Sequence, residues 1–224
     1  MSRKPWYKTS PELYHSLHQE VQQAYPELQF SARNDTVFLS GNFILRDKGK
    51  VVDSFLIEIE FPFNYPKRIP VVYEIEGRIP RTADRHTYPS GEVCLYLPLQ
   101  LSEIFPAGST LLDFLNSPVR SFFVSQSYFE LTGEWPFGAW PHGAGAIIEY
   151  YAPMLGTTDR NIISRYFEMI SKKEIKGHWL CPCGSGKILR HCHYEMASKL
   201  HRDYQYAISQ TGRRDRKREP DIAV

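Results

Sequence analysis

The sequence predicts an α+β protein with an N-terminal helix, an antiparallel meander of about four strands and C-terminal helices, followed by a small Cys/His module. Three features predict this order. Apolar residues recur every four positions near the start, then every second position from 29 to 75, and three cysteines and a histidine cluster between 181 and 193. The 224 residues, 42% of them hydrophobic, can bury one sizeable core and a smaller one, which excludes a disordered chain.

The first helix is predicted from Ser10 to Tyr25. Ser10 is a good N-cap, Pro11 suits the first helical position, and Pro26 ends the segment. One apolar stripe follows the four-residue spacing and consists of Leu13, Leu17, Val21 and Tyr25.

The meander is predicted between Gln29 and Ile75. FSARNDTVFLSGNFIL and KVVDSFLIEIEF alternate apolar and polar residues, and turn signals occur at Asn34-Asp35 and at 47–50. Four prolines between 61 and 80 limit the following stretch to one short strand, Val71 to Ile75.

The remaining elements are loops and helices. Residues 76–100 are rich in Pro and Gly and predict a loop with short extended pieces. Helices are predicted at 110–128, with a break at Pro118, and at 144–154, 159–172 and 197–210. Three segments follow: a first domain with C-terminal helices at 8–172, a metal-binding motif at 177–196, and a C-terminal helix with a basic tail at 197–224.

Three of the four cysteines lie within one short motif. Cys181, Cys183 and Cys192 stand with His193 in CPCGSGKILRHCH. Three thiolates and one imidazole are suitable ligands for tetrahedral Zn²⁺, and four protein ligands leave no open position, which predicts a structural zinc. The alternatives are a pair of redox thiols and coordination by His191 in place of His193, although the spacing favours His193. The pattern resembles the SEC-C motif, Cys-x-Cys-x8-Cys-His, at all four ligand positions.

The fourth cysteine, Cys94, stands alone in RHTYPSGEVCLYLP, with His86 eight residues before it. A single thiol outside a metal cluster, with a histidine nearby, is a candidate nucleophile. The alternative is a small buried side chain, since free cysteines are often buried.

Two segments resemble the ubiquitin-conjugating-enzyme (UBC-like) family. FPFNYPKRIPVVYEI is similar to the family's tyrosine- and proline-containing stretch before the fourth strand, and GEVCL, residues 91–95, is similar to its Gly-x-Ile/Val-Cys-Leu active site. The resemblance covers roughly residues 8 to 155. It implies a UBC-like fold and a transferase that carries an acyl group as a thioester on Cys94 and passes it to an amine.

One departure concerns the family's His-Pro-Asn motif. The corresponding segment is HTYP, residues 86–89, which has no asparagine. His86 stands either at the position of the Asn or at that of the motif's His, and it is the second candidate catalytic residue, as a donor to the oxyanion or as a base for the amine. A catalytically inactive adaptor of the same fold, or a zinc-dependent interaction module, is the alternative function.

The resemblance also implies partners. LLDFLNSPV and TGEWPFGAWPHG look like the bacterial branch of the superfamily, part of which is linked to anti-phage (CBASS-type) operons with cGAS-like nucleotidyltransferases. A ubiquitin-like protein or such a nucleotidyltransferase is therefore the implied partner, with or without a separate activating enzyme.

Composition bears on location and on nucleic acid binding. No apolar run has the length of a signal peptide or a membrane span, and reduced thiols fit a cytoplasmic protein. The basic run at 213–218 is interrupted by Asp215, and a solvated tail is the usual explanation of such a run, so nucleic acid is not an expected partner.

Overall fold

The computed structural model describes residues 4–97, 100–136 and 143–211. They form two compact units. The first comprises the described residues up to Tyr96 and from Ile104 to Pro136, and the second comprises the described residues from Leu97 to Glu103 and from Gly143 onward. The basic run at 213–218 and residues 137–142 of the TGEWPFGAWPHG segment lie outside the described residues.

A four-stranded antiparallel sheet forms the centre of the first unit. Its strands are β1 (Leu28–Arg33), β2 (Thr36–Asp47), β3 (Lys50–Glu60) and β4 (Val71–Glu74), adjacent in chain order. The turn residues Asn34, Asp35, Lys48 and Gly49 all have positive φ, which Asn, Asp and Gly tolerate best. The predicted meander and the α+β class are confirmed.

The described α-helices are α1 (Trp6–Thr9), α2 (Pro11–Ala24), α3 (Leu101–Ile104), α4 (Leu111–Phe114), α5 (Arg120–Thr132), α6 (Gly143–Leu155), α7 (Arg160–Ile170) and α8 (Tyr194–Thr211). The core of the first unit combines buried residues of α2, α4, α5 and the four strands, among them Val21, Phe43, Phe55 and Phe123. No helix of the described residues has the length and apolar character that a membrane crossing requires.

The predicted break at Pro118 takes the form of a wider turn. Leu115–Val119 forms a π turn between α4 and α5, so the helical path continues from residue 111 to 132. Proline has no N–H to donate, and an expanded turn accommodates that missing donor without ending the helix.

The second unit contains α6, α7, α8 and the cysteine motif. Its core joins apolar residues of the three helices with Cys181 and Leu189, both nearly inaccessible. α6 and α7 therefore share a unit with the cysteine motif, whereas the sequence predicted that residues 144–172 belong to the first domain. The apolar faces of these helices do not by themselves reveal which of two cores they join.

Candidate active site and metal centre

The segment that carries Cys94 lies along β4. The N–H of Val93 donates to the carbonyl of Val72 at 2.9 Å, and the N–H of Glu74 donates to the carbonyl of Gly91 at 2.9 Å. This part of the predicted loop is therefore attached to the sheet by backbone hydrogen bonds, which fixes the path of the chain into Cys94.

Gly91 is required where this segment meets β4. Its φ is +85°, and a Cβ at this position would lie 2.7 Å from the carbonyl oxygen of Glu74. Only glycine combines the left-handed conformation with so close an approach of two backbones. The close approach to the Glu74 carbonyl thus explains why the Gly-x-Val-Cys-Leu sequence has a glycine at this position.

A buried carboxylate holds the turn after β4. Glu74 is 1% exposed, and its side-chain oxygens accept hydrogen bonds from the N–H groups of Glu76, Gly77 and Arg78 at 2.9–3.2 Å. Because a buried carboxylate is stabilised by such donors, the turn is tied to the end of the strand. The sequence signal for this turn was Gly77, three residues after the carboxylate.

His86 and Cys94 lie opposite one another in the backbone. The N–H of Cys94 donates to the carbonyl of His86 at 2.8 Å. His86 has a left-handed conformation, with φ of 49° and ψ of 39°, after a short 3₁₀ turn at Ala83–Arg85. Its ring packs edge-on against Trp135, with 5.9 Å between ring centroids. The structure therefore places the backbones of the two residues that the sequence indicated as catalytic candidates next to each other.

The Cys94 thiol is half-buried. Its sulfur lies 3.6 Å from the carbonyl oxygen of Tyr96. Burial raises the pKa of Cys94, and the nearby carboxylate of Glu92 also raises it, while hydrogen bonds with Tyr96 and Tyr88 act in the opposite direction. The thiol is therefore mostly protonated at neutral pH, and it becomes a nucleophile only after losing its proton.

Helix α5 contacts Arg85, the residue just before His86. Gln126 accepts a hydrogen bond from Nε of Arg85 at 2.8 Å and donates its amide N–H to the carbonyl of Arg85 at 2.9 Å. The Arg85 guanidinium lies over the ring of Phe129, 4.7 Å from its centroid, and 3.4 Å from the carboxylate of Glu130. No motif in the sequence indicated these residues.

A second arginine joins the same helix to the sheet. Arg78 forms a bidentate pair with Asp53 at 2.7 and 2.8 Å and contacts Glu130 at 2.6 Å. Burial opposes ionisation of Asp53, but hydrogen bonds from Arg78, Ser127 and the backbone of Ser54 outweigh it and lower the pKa of that carboxyl. The carboxylate is therefore charged at neutral pH and holds Arg78 in place.

The four predicted metal ligands converge in the second unit. The ligating atoms of Cys181, Cys183, Cys192 and His193 all lie within 4.8 Å of one another. Sγ of Cys183 is 3.5 Å from Sγ of Cys192, and Nδ1 of His193 is 3.4 Å from Sγ of Cys181. A tetrahedron with Zn–S bonds of about 2.3 Å has sulfurs about 3.8 Å apart. The cluster has the donor set and the dimensions to bind a metal ion.

Local backbone structure explains how the ligands meet. Leu180 and Ile188 form an antiparallel bridge, and Gly184 and Gly186 have positive φ in the turn between them. Cys192 ends the 3₁₀ turn Leu189–His191, directly before His193 and α8. The tight turn thus positions Cys181 and Cys183, and the residues directly before α8 are Cys192 and His193.

Two hydroxyl groups contact the sulfur ligands. The buried phenol of Tyr166 lies 3.5 Å from Sγ of Cys181, and the Ser185 hydroxyl lies 3.2 Å from Sγ of Cys183. Burial raises the pKa of Cys183, but hydrogen bonds from Ser185, Cys181 and Cys192 outweigh it and lower the pKa to about 6. Both hydroxyls can stabilise thiolate ligands.

Among the described residues, the converging group includes His193 and not His191, so the geometry favours His193 as the candidate ligand. Cys94 and the cluster belong to different units.

The comparisons with protein-family models and with curated proteins gave no match to this chain.

Proposed function

We propose that the protein is a bacterial acyltransferase of the ubiquitin-conjugating type, with a UBC-like first unit and a structural zinc in the second. The observation that carries the proposal is the position of Cys94. It is partly accessible, it follows a segment hydrogen-bonded to β4, and its N–H binds the carbonyl of His86. A nucleophile that meets two large substrates requires such an accessible but fixed position.

The reaction has two steps. In loading, the Cys94 thiolate attacks the carbonyl carbon of an activated thioester, a new C–S bond forms, and the donor leaves as a thiolate. In transfer, an amine attacks the Cys94 thioester, a C–N bond forms, and Cys94 leaves as a thiolate after the amine has lost a proton. Because burial raises the pKa of Cys94, loading should accelerate with pH up to a value above the usual thiol pKa of about 8.5.

His86 is proposed to assist the transfer step. Its imidazole is the candidate for taking the proton of the attacking amine or for donating to the oxyanion. His86→Ala should slow discharge of the loaded enzyme to free lysine by about 100-fold while leaving loading intact. His15→Ala, at an exposed position on α2, is the matched control. Equal discharge rates for His86→Ala and the unchanged protein would remove His86 from the mechanism.

Zn²⁺ is the proposed metal. Cys181, Cys183, Cys192 and His193 would hold it through three thiolates and one imidazole, the donor set of structural zinc sites. With all four positions occupied by protein, the ion would supply local stability and no Lewis acid chemistry. The second unit is then a surface for a protein partner, proposed as a ubiquitin-like protein or a cGAS-like nucleotidyltransferase of an anti-phage operon in the cytoplasm.

An inactive adaptor is the second candidate. Partial burial of the Cys94 thiol favours it, because burial raises the pKa of that thiol and a protonated thiol reacts slowly.

The two candidates differ in whether an adduct forms. We would incubate the full chain with a synthetic peptide thioester and measure intact mass before and after thiol treatment. The enzyme should gain a thiol-sensitive adduct on the Cys94 peptide, Cys94→Ser should give an ester that resists thiols, and Cys94→Ala should gain nothing. No adduct on the unchanged protein, or an adduct that persists in Cys94→Ala, would contradict the acyltransferase.

A further inference from the structure

We infer that Gln126 is a positioning residue for Cys94, acting through the backbone of Arg85 and His86. This inference rests on the proposed function, since positioning matters only if Cys94 reacts. It assigns a role to a buried polar side chain that no step of the proposed chemistry uses.

The first link is the conformation of His86. A left-handed conformation is unfavourable for a residue with a side chain, so surrounding contacts must maintain it. His86 has this conformation, and its carbonyl accepts the N–H of Cys94 at 2.8 Å. A change in the backbone of His86 would therefore be passed directly to the backbone of Cys94.

The second link is Arg85, the residue before His86. Its carbonyl accepts two hydrogen bonds, from the Gln126 amide at 2.9 Å and from the Thr87 hydroxyl at 3.0 Å. Its Nε donates to the Gln126 side-chain oxygen at 2.8 Å. One amide thus holds both the main chain and the side chain of Arg85.

The third link is the burial of Gln126. The side chain is 1% exposed and lies on α5 between the buried Phe122 and Phe123 and the half-buried Phe129. A polar group in such surroundings is destabilising unless it is fully hydrogen-bonded, and here both ends of the amide bind Arg85. Glutamine therefore serves this position for its two-ended hydrogen bonding, and a shorter or apolar residue would leave the Arg85 carbonyl with one donor.

Loss of the Gln126 amide should have two opposite effects. The Cys94 segment should become more solvated, so its thiol should ionise at lower pH and react faster with iodoacetamide at pH 7. The acyl group on Cys94 should be held less well, and misplacement by about 1 Å reduces rates by up to about 100-fold. We expect alkylation to rise about threefold and transfer to fall about tenfold, within the range set by such misplacement. A merely structural role would not separate the two rates.

The test uses the full chain and three variants: Gln126→Ala, Gln126→Glu and Gln205→Ala. Gln205 donates its amide to the carbonyl of Lys172 at 3.2 Å in the second unit, so its variant removes the same kind of bond elsewhere. Gln126→Glu retains the acceptor for Arg85 Nε and loses the donor to the carbonyl; it keeps the shape if the alanine variant does not fold. We would measure alkylation of the Cys94 peptide from pH 6 to 10, discharge of a peptide thioester to free lysine, and melting temperature.

The expected result is faster alkylation with slower discharge in both Gln126 variants, with Gln205→Ala unchanged. Unchanged alkylation profiles in both Gln126 variants, or equal loss in Gln205→Ala, would overturn the inference. The experiment distinguishes failure of the acyltransferase proposal from failure of the Gln126 inference. If the unchanged protein gains no adduct, the acyltransferase is refuted, whereas the alkylation profile still decides whether Gln126 positions Cys94.

Discussion

The two units place their cysteines differently with respect to their cores. In the first unit, Cys94 lies at the sheet edge, outside a core of aromatic and aliphatic residues drawn from helices and strands. In the second unit, Cys181 is itself part of the core and packs with Leu189 and residues of α7 and α8. A thiol on a hydrogen-bonded edge can react without disturbing its core, whereas a thiol within a core is suited to hold structure.

The difference also changes what the metal is expected to do. From the sequence alone, residues 177–196 are expected to be a small module that folds only with its metal. In the structure, α6, α7 and α8 bury apolar residues against one another and against the motif. The metal should therefore order residues 177–193 and tighten the unit, while the helices retain part of their packing.

Metal removal should have the largest effect, and it should be confined to the second unit. Structural zinc contributes about 10–16 kcal/mol of binding free energy in small metal modules. Chelation of the full chain, or Cys181→Ser, should abolish hydrogen-exchange protection in 177–193 and weaken it in α7 and α8, while β2 and β3 stay protected. His191→Ala is the control and should retain one metal per chain. Equal deprotection of the sheet would show that the units are not independent.

Truncation of a core side chain in the first unit should have a smaller effect, and that effect should be confined to the first unit. Phe123 is fully buried and contacts the rings of Phe43 and Phe55, so Phe123→Ala should destabilise the first unit by about 3–5 kcal/mol. Val124→Ala, at a 42% exposed position beside it, should change stability by no more than about 0.5 kcal/mol. Protection of β2 and β3 should fall, and metal content should not. Loss of metal in Phe123→Ala would contradict the independence of the two units.

The smallest expected effect concerns the hydroxyl beside Cys181. Tyr166→Phe removes a group 3.5 Å from the candidate metal ligand Cys181, and such a loss should reduce metal affinity by about 10-fold to 100-fold. Tyr151→Phe is a matched control in the same core, because its buried hydroxyl has no hydrogen-bond partner among the described residues. Competition with a chromophoric chelator would measure the metal affinity of both variants. Equal affinity in the two variants would mean that the Tyr166 phenol does not stabilise the thiolate.

Patterns of short range were predictable from the sequence. The alternation in β2 and β3, the turns at Asn34 and Lys48 and the spacing of the helical apolar residues depend on neighbouring positions, and each appears in the structure. The convergence of the four candidate metal ligands was also predictable, because their spacing within thirteen residues leaves little freedom.

Contacts between distant segments were not predictable in the same way. Gln126 meets Arg85 across 41 positions, and Glu130 meets Arg78 across 52. The available signal was a polar residue on the apolar face of α5, between Phe122 and Phe129, but it does not name a partner. The division into two compact units was not evident from the sequence for a related reason, since α6 and α7 have apolar faces that fit either core.

The segment 101–103 has a consequence for the synthesis of the protein. Ser102 binds Asp203, which follows it by 101 positions, and Glu103 binds Lys199. At roughly 5–20 residues per second, these partners leave the ribosome on the order of 5–20 s later. The stretches up to Tyr96 and from Ile104 to Pro136 belong to the first unit, and they leave the ribosome before α8 does. The two hydrogen bonds of this segment with α8 can therefore form only after α8 has been synthesised.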